Sequence, residues 1–95
     1  MSFLVSQNHM VHIVMHNIVA FRISKEIVRS FNGGNSILEK DYLYDIQVSC
    51  DGHTFIDVAG YKTERNASDV LYNLIDNFRK DHDYTLPPSS HFKEE

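Results

Sequence analysis

Residues 10–23 read MVHIVMHNIVAFRI, and whether this run is extended or coiled decides the rest of the fold. Val11, Ile13, Met15, Val19, Phe21 and Ile23 share one parity, while His12, His16 and Arg22 fall on the other among Val14, Ile18 and Ala20. Period-two alternation rich in β-branched residues is the pattern of a strand with one buried face. Asn17 interrupts the buried row and predicts a bulge or bend there. Val11, Val14, Met15 and Ile18 also fit helical spacing, so a helix is the rival; the strand is adopted here.

Working outward, Ser24 can cap a helix with Glu26 in its first turn. Ile27, Val28 and Phe31 supply a short apolar stripe, and Asn32-Gly33-Gly34 a stop. Residues 35–41 read as a loop or as one helical turn around Ile37 and Leu38. From Tyr42 to Cys50 the alternation is clean: Tyr42, Tyr44, Ile46, Val48 and Cys50 face one way, Leu43, Asp45, Gln47 and Ser49 the other. Asp51-Gly52 is a hairpin signal, and Thr54, Ile56 and Val58 alternate with Phe55 and Asp57 beyond it. A two-residue loop sets Ile46 opposite Asp57 and buries a carboxylate. A three-residue loop over Cys50-Asp51-Gly52 pairs Ile46 with Ile56 and Val48 with Thr54, and is the predicted register. Gly60 is expected to end that strand.

Asn66 can cap a last helix, with Asp69 in the capping-box position. Ala67, Val70, Leu71, Leu74, Ile75 and Phe78 line one face of it, and Asp69, Asn73, Asp76 and Lys80 the other. Tyr84-Thr85-Leu86 can add a short edge strand. The expectation is an α+β domain: an antiparallel sheet of three or four strands in the order β-α-β-β-α, possibly with a short final strand, and two helices on one face. Residues 1–86 form the single domain, with peripheral first residues, and 87–95, opening on Pro87-Pro88-Ser89-Ser90, form a tail.

The chain has 95 residues, 9 basic and 13 acidic, a formal net charge of −4 and a single cysteine. The acidic balance argues against nucleic acid as the main partner, because neutralising phosphates calls for a basic surplus. Cys50 cannot form an intrachain disulfide, which fits a reducing, cytoplasmic compartment. No basic leader precedes the apolar stretch, so no signal peptide is expected. That stretch is too short, and too interrupted by His12, His16, Asn17 and Arg22, to span a bilayer.

No constellation of catalytic or metal-ligating residues emerges. On a strand, His12 and His16 share a face but stand about 13 Å apart, too far for one ion, and His9 points the opposite way. Cys50 and His53 flank a tight turn without an orienting third group or a pocket. Asp81-His82-Asp83 reads as a solvated helix end. No cofactor or metal is expected, and no enzymatic activity.

The run FRISKEIVRSFNGGNSI (21–37), followed by a hairpin and a final helix, weakly resembles the KH fold of single-stranded nucleic-acid-binding proteins, whose GxxG loop clamps the backbone. Gly33-Gly34 stands where that loop would end, with Arg22, Lys25 and Arg29 nearby as contacts. Phe31 occupies the first glycine position and the loop is not basic. The favoured expectation is a small non-enzymatic interaction or regulatory protein, of the sort found among accessory and phage-encoded proteins. It would bind a protein partner or a second copy through an edge strand or the open sheet face, with His12, Val14, His16, Ile18, Gln47, Phe55 and Asp57 as the contact residues.

Overall fold

Ile46 and Val48, the inward residues of the clean alternation at 42–50, are fully buried at the centre of the protein. The computed structural model describes residues 1–32 and 38–92. Its elements are β1 (Phe3–Val5), β2 (His12–Val14), β3 (Ala20–Asn32), β4 (Leu38–Ser49), β5 (Ile56–Tyr61), α1 (Glu64–Arg79) and β6 (Tyr84–Thr85), with 3-10 turns at Met15–Asn17 and Ser89–His91. They form two three-stranded sheets, β2-β1-β6 and β3-β4-β5. The class is α+β, as expected, with one α-helix among the described residues in place of two, so the order β-α-β-β-α does not hold.

The helix expected from Ser24 to Phe31 is instead the body of β3, antiparallel to β4 from Ala20↔Ser49 to Asn32↔Leu38 with a bulge between Ile27 and Arg29. Ile27, Val28 and Phe31 suit helical spacing, but a helix there would leave one side of β4 without a ladder. Extending the Phe21–Ile23 alternation gives both strands their backbone partners. The Gly33-Gly34 turn and Ile37 lie outside the described residues.

The run 10–23 is extended at each end but is not one strand. The break foreseen at Asn17 is a 3-10 turn, and it carries the chain from β2 in one sheet to β3 in the other. The turn sends Met15 and Ile18 inward together, and Ile18 is only 4% exposed; strict alternation would have left Ile18 on the open face.

The hairpin between β4 and β5 is present in a different register: Val48↔Ile56, Gln47↔Asp57 and Ile46↔Ala59, with a bulge at Ile46/Gln47. The connection is longer than a three-residue loop because Asp51 organises it. Its Oδ1 accepts from the backbone N–H of His53 (2.8 Å) and Thr54 (2.7 Å), while Ser49 Oγ accepts from Gly52 N–H at 2.8 Å. Gly52 adopts φ 81° there. The bulge lets Asp57 face solvent while Val58 and Ala59 are both buried, so no carboxylate opposes Ile46. β5 continues through Gly60 to Tyr61: a Cβ on Gly60 would lie 2.8 Å from Leu43 Cδ2 and 3.0 Å from Asp45 Oδ1, so an added side chain would have to push those side-chain ends aside.

Helix α1 starts one turn before the expected cap. Thr63 is the N-cap, its Oγ1 accepting from Asn66 N–H at 3.1 Å. Ala67, Val70 and Leu74 are buried, Leu71 and Phe78 pack at the margin of the same core, and Phe78 meets Phe21 edge-to-face at 5.2 Å. The first residues are not peripheral. Leu4 is fully buried, and β1 is the central strand of its sheet, antiparallel to β2 and parallel to β6. Ser2 Oγ donates to Asp81 Oδ1 and Phe3 N–H to Asp83 Oδ1, so the acidic turn after α1 anchors the N-terminus. Tyr61 Oη donates to Pro87 O at 2.6 Å and Phe92 stacks edge-on against Tyr61 at 5.6 Å. No helix among the described residues is long and apolar enough to cross a membrane.

Candidate interaction edge and open face

The two edges of the sheet β3-β4-β5 are finished differently. Along the outer side of β5, Gln7 N–H donates to Val58 O (2.8 Å), Gly60 N–H donates to Gln7 Oε1 (3.0 Å) and Gln7 Nε2 donates to Gly60 O (3.1 Å). Ser89 Oγ also donates to Gly60 O, at 3.1 Å. One glutamine thus stands in for a neighbouring strand. Along β3 the ladder runs to β4 on one side, and no strand lies on its other side among the described residues. Backbone donors and acceptors left in such a row are a template for another chain.

Side chains of Arg22, Gln47 and Asp57 share the sheet face opposite Ile46 and Val48. Arg22 Nε donates to Gln47 Oε1 at 2.6 Å, and Gln47 Nε2 donates to Asp57 Oδ1 at 2.5 Å. The result is one polar rung across β3, β4 and β5. The Arg22 guanidinium lies 3.7 Å from the centroid of the Phe55 ring, a cation–π contact that covers part of that aromatic surface.

Two residues along β4 on the same face, Asp45 is only 7% exposed. Burial, then the neighbouring charges of Glu26 and Asp57 and a hydrogen bond with Glu26, raise its pKa to about 6. Asp45 therefore holds its proton beside Glu26 up to about pH 6. Asp45, Asp57, Leu43, Gly60, Gln7 and Ser89 line a cavity of about 390 Å³. A carboxyl with a raised pKa can act as a general acid.

Of the expected contact residues, Gln47, Phe55 and Asp57 are brought together by this rung. His12 is exposed on β2, with Nε2 3.2 Å from His9 O, Val14 is half-buried at the end of β2, and His16 is exposed in the 3-10 turn. The first two belong to the other sheet, and His16 to the turn between the two sheets. Ile18 is in the core and is unavailable to a partner. Among the described residues no group of three or more His, Cys, Asp and Glu side chains could hold a metal ion. Cys50 is free and exposed. Asp51 beside it is held down to about 2 by the Thr54 and His53 backbone N–H groups.

Glu26 was hidden as a site residue by the helical reading of 24–31, whereas Arg22 lay on the extended run and figured only as a nucleic-acid contact. Once the segment is a strand, their common parity puts them on the face of Gln47 and Asp45. No known protein family, no curated protein and no solved structure matches this chain.

Proposed function

We propose that this protein is a non-enzymatic interaction module that takes up a strand of a protein partner along the outer edge of β3. Arg22, Gln47, Phe55 and Asp57 on the adjoining face read the partner's side chains. The observation that carries the reading is the contrast between the sheet's two edges: β5 is capped by Gln7 and Ser89, whereas β3 has no backbone partner on its outer side among the described residues. The exposed, single Cys50 supports a cytoplasmic, reducing location, and the role is that of a regulatory or accessory binder. Single-stranded nucleic acid is disfavoured by the net charge of −4 and by the Glu26–Asp45 acid pair beside the edge.

The test compares partners co-purifying with tagged wild type, Arg22→Glu and Phe55→Asp from the native host, with Tyr72→Asp on the exposed side of α1 as control. The expected result is loss of the same partner in the first two variants and its retention in the third. Equal recovery from all four proteins overturns the reading. So does retention of single-stranded oligonucleotides at low salt with affinity falling steeply as salt rises, which is the signature of phosphate contacts.

A further inference from the structure

We infer that the occupant of the β3 edge is a second copy of this chain, paired antiparallel about a two-fold axis that passes between the two copies of Ser24. The inference rests on the strand-addition reading and goes beyond it by naming the partner and the register. The bulge between Ile27 and Arg29 ends the regular part of β3, leaving Ala20 to Ile27 as the straight edge. A two-fold axis normal to the sheet and centred on Ser24 uses this segment almost end to end. It sets Phe21 opposite Ile27, Arg22 opposite Glu26 and Ile23 opposite Lys25, each pair occurring twice by symmetry.

Charge and hydrophobicity select that register. Each Arg22 meets a Glu26 across the seam. In the single chain Arg22 turns toward β4, its Nε on Gln47 and its guanidinium over the Phe55 ring; pairing swings that guanidinium across the seam to Glu26 of the second copy. Glu26 lies against Asp45, so the arriving guanidinium places a cation beside two carboxyl groups. On the opposite face Ile27, 52% exposed, comes to lie against Phe21 of the second copy. Moving the axis to Lys25 would set the two Lys25 side chains face to face. Moving it to Ile23 would leave Arg22 opposite Ser24 and Glu26 opposite Ala20, with Phe21 against Lys25. Like charges directly opposite on neighbouring strands oppose pairing, and opposite charges favour it. The product is a continuous six-stranded sheet with both helices on the same side, and the open face of each copy extends into that of the other.

The experiment is sedimentation equilibrium of the full chain over a range of concentrations. It uses wild type, Arg22→Glu, Glu26→Arg, the double swap, and an equimolar mixture of the two single variants, all checked for native circular dichroism. Wild type is expected to dimerise reversibly. Each single swap places like charges opposite at both pairs and weakens the dimer by about tenfold or more. The double swap and the mixture restore opposite charges at both pairs and return to within about threefold of wild type. Residue-resolved amide exchange accompanies it: the outward-pointing amides of β3 slow as dimer forms. A monomer at every concentration overturns the inference and leaves strand addition by another protein standing. A dimer indifferent to the swaps overturns the register. A dimer in which the outward β3 amides still exchange freely overturns the inference and the edge reading together.

Discussion

Asp45 is the residue whose environment has the clearest thermodynamic consequence. In the folded chain its carboxyl keeps a proton up to about pH 6, because it is buried beside Glu26 and Asp57. An unfolded chain releases that proton near the ordinary aspartate value, about 4. The folded state therefore binds more protons between these values. Its stability is expected to be full at about pH 4, to fall as pH rises through 6, and then to level off. Asp45→Asn should abolish that slope and stabilise the protein at pH 8 by on the order of 1–3 kcal/mol, because its carboxyl is raised to about 6 in the folded chain; urea unfolding at pH 4.5 and pH 8 checks both. At the lower end Asp51 acts with the opposite sign. Its depressed carboxyl contributes stability that is lost as pH falls from about 4 toward 2. Gly60 makes a steric prediction next door. Gly60→Ala should cost about 1–3 kcal/mol, as overpacking against Leu43 and Asp45 does, and Leu43→Ala in the same chain should recover part of it. A double-mutant cycle by denaturant titration reads the coupling.

At the scale of elements, β5 and α1 are held at their ends by single side chains. Gln7→Ala removes the two side-chain hydrogen bonds that Gln7 makes to Gly60, leaving only Ser89 on its carbonyl, so the Gly60 amide should exchange faster by at least about tenfold. The protein should lose on the order of 1–2 kcal/mol, measured by amide exchange and chemical unfolding. Thr63→Ala removes the N-cap of α1 and should cost about 1 kcal/mol, most of it recovered by Thr63→Ser. What was legible at this scale follows from length and periodicity. The stripe of Ala67, Val70 and Leu74 and the alternation of Ile46 and Val48 each run long enough for one period to win. β1 spans Phe3–Val5 and is too short to display any period. Between Ser24 and Asn32 two periods fit the same residues: Ser24 resembles a cap, Asn32-Gly33 resembles a stop, and the Lys25-Glu26 pair masks the alternation. Only the neighbouring β4, with backbone groups that need partners, breaks that tie.

At the scale of the whole molecule, both chain ends are stitched into the core. Leu4 and Leu86 are fully buried within one apolar cluster that joins the two sheets to α1, and Ser2 and Phe3 are tied to the turn at Asp81 and Asp83. Ending the chain after Leu86 would strip the Tyr61 hydroxyl of its acceptor on Pro87 and remove the Phe92 ring. Such a truncation should cost about 1–3 kcal/mol, seen as a lower midpoint in thermal or urea unfolding. The candidate site follows the same division. Gln47, Phe55 and Asp57 could be grouped from parity around a hairpin. Ile18 could not be placed, because a 3-10 turn reverses its facing, and Glu26 could not, because its segment was read with the wrong period.

The amino-acid sequence by itself determined the α+β class, the amphipathic final helix, the pair of strands around Asp51-Gly52 and a bend at Asn17. Each of these is written in local residue chemistry: a repeated apolar spacing, a turn carboxylate, or an interruption in a row. Tertiary structure alone decided that residues 24–32 are extended, that the chain divides between two sheets, that β1 is central, and that one sheet edge is capped while the other is open among the described residues. Those outcomes depend on which distant segment supplies a backbone donor or an apolar wall, and hydrogen-bond satisfaction and burial are settled between segments rather than within them.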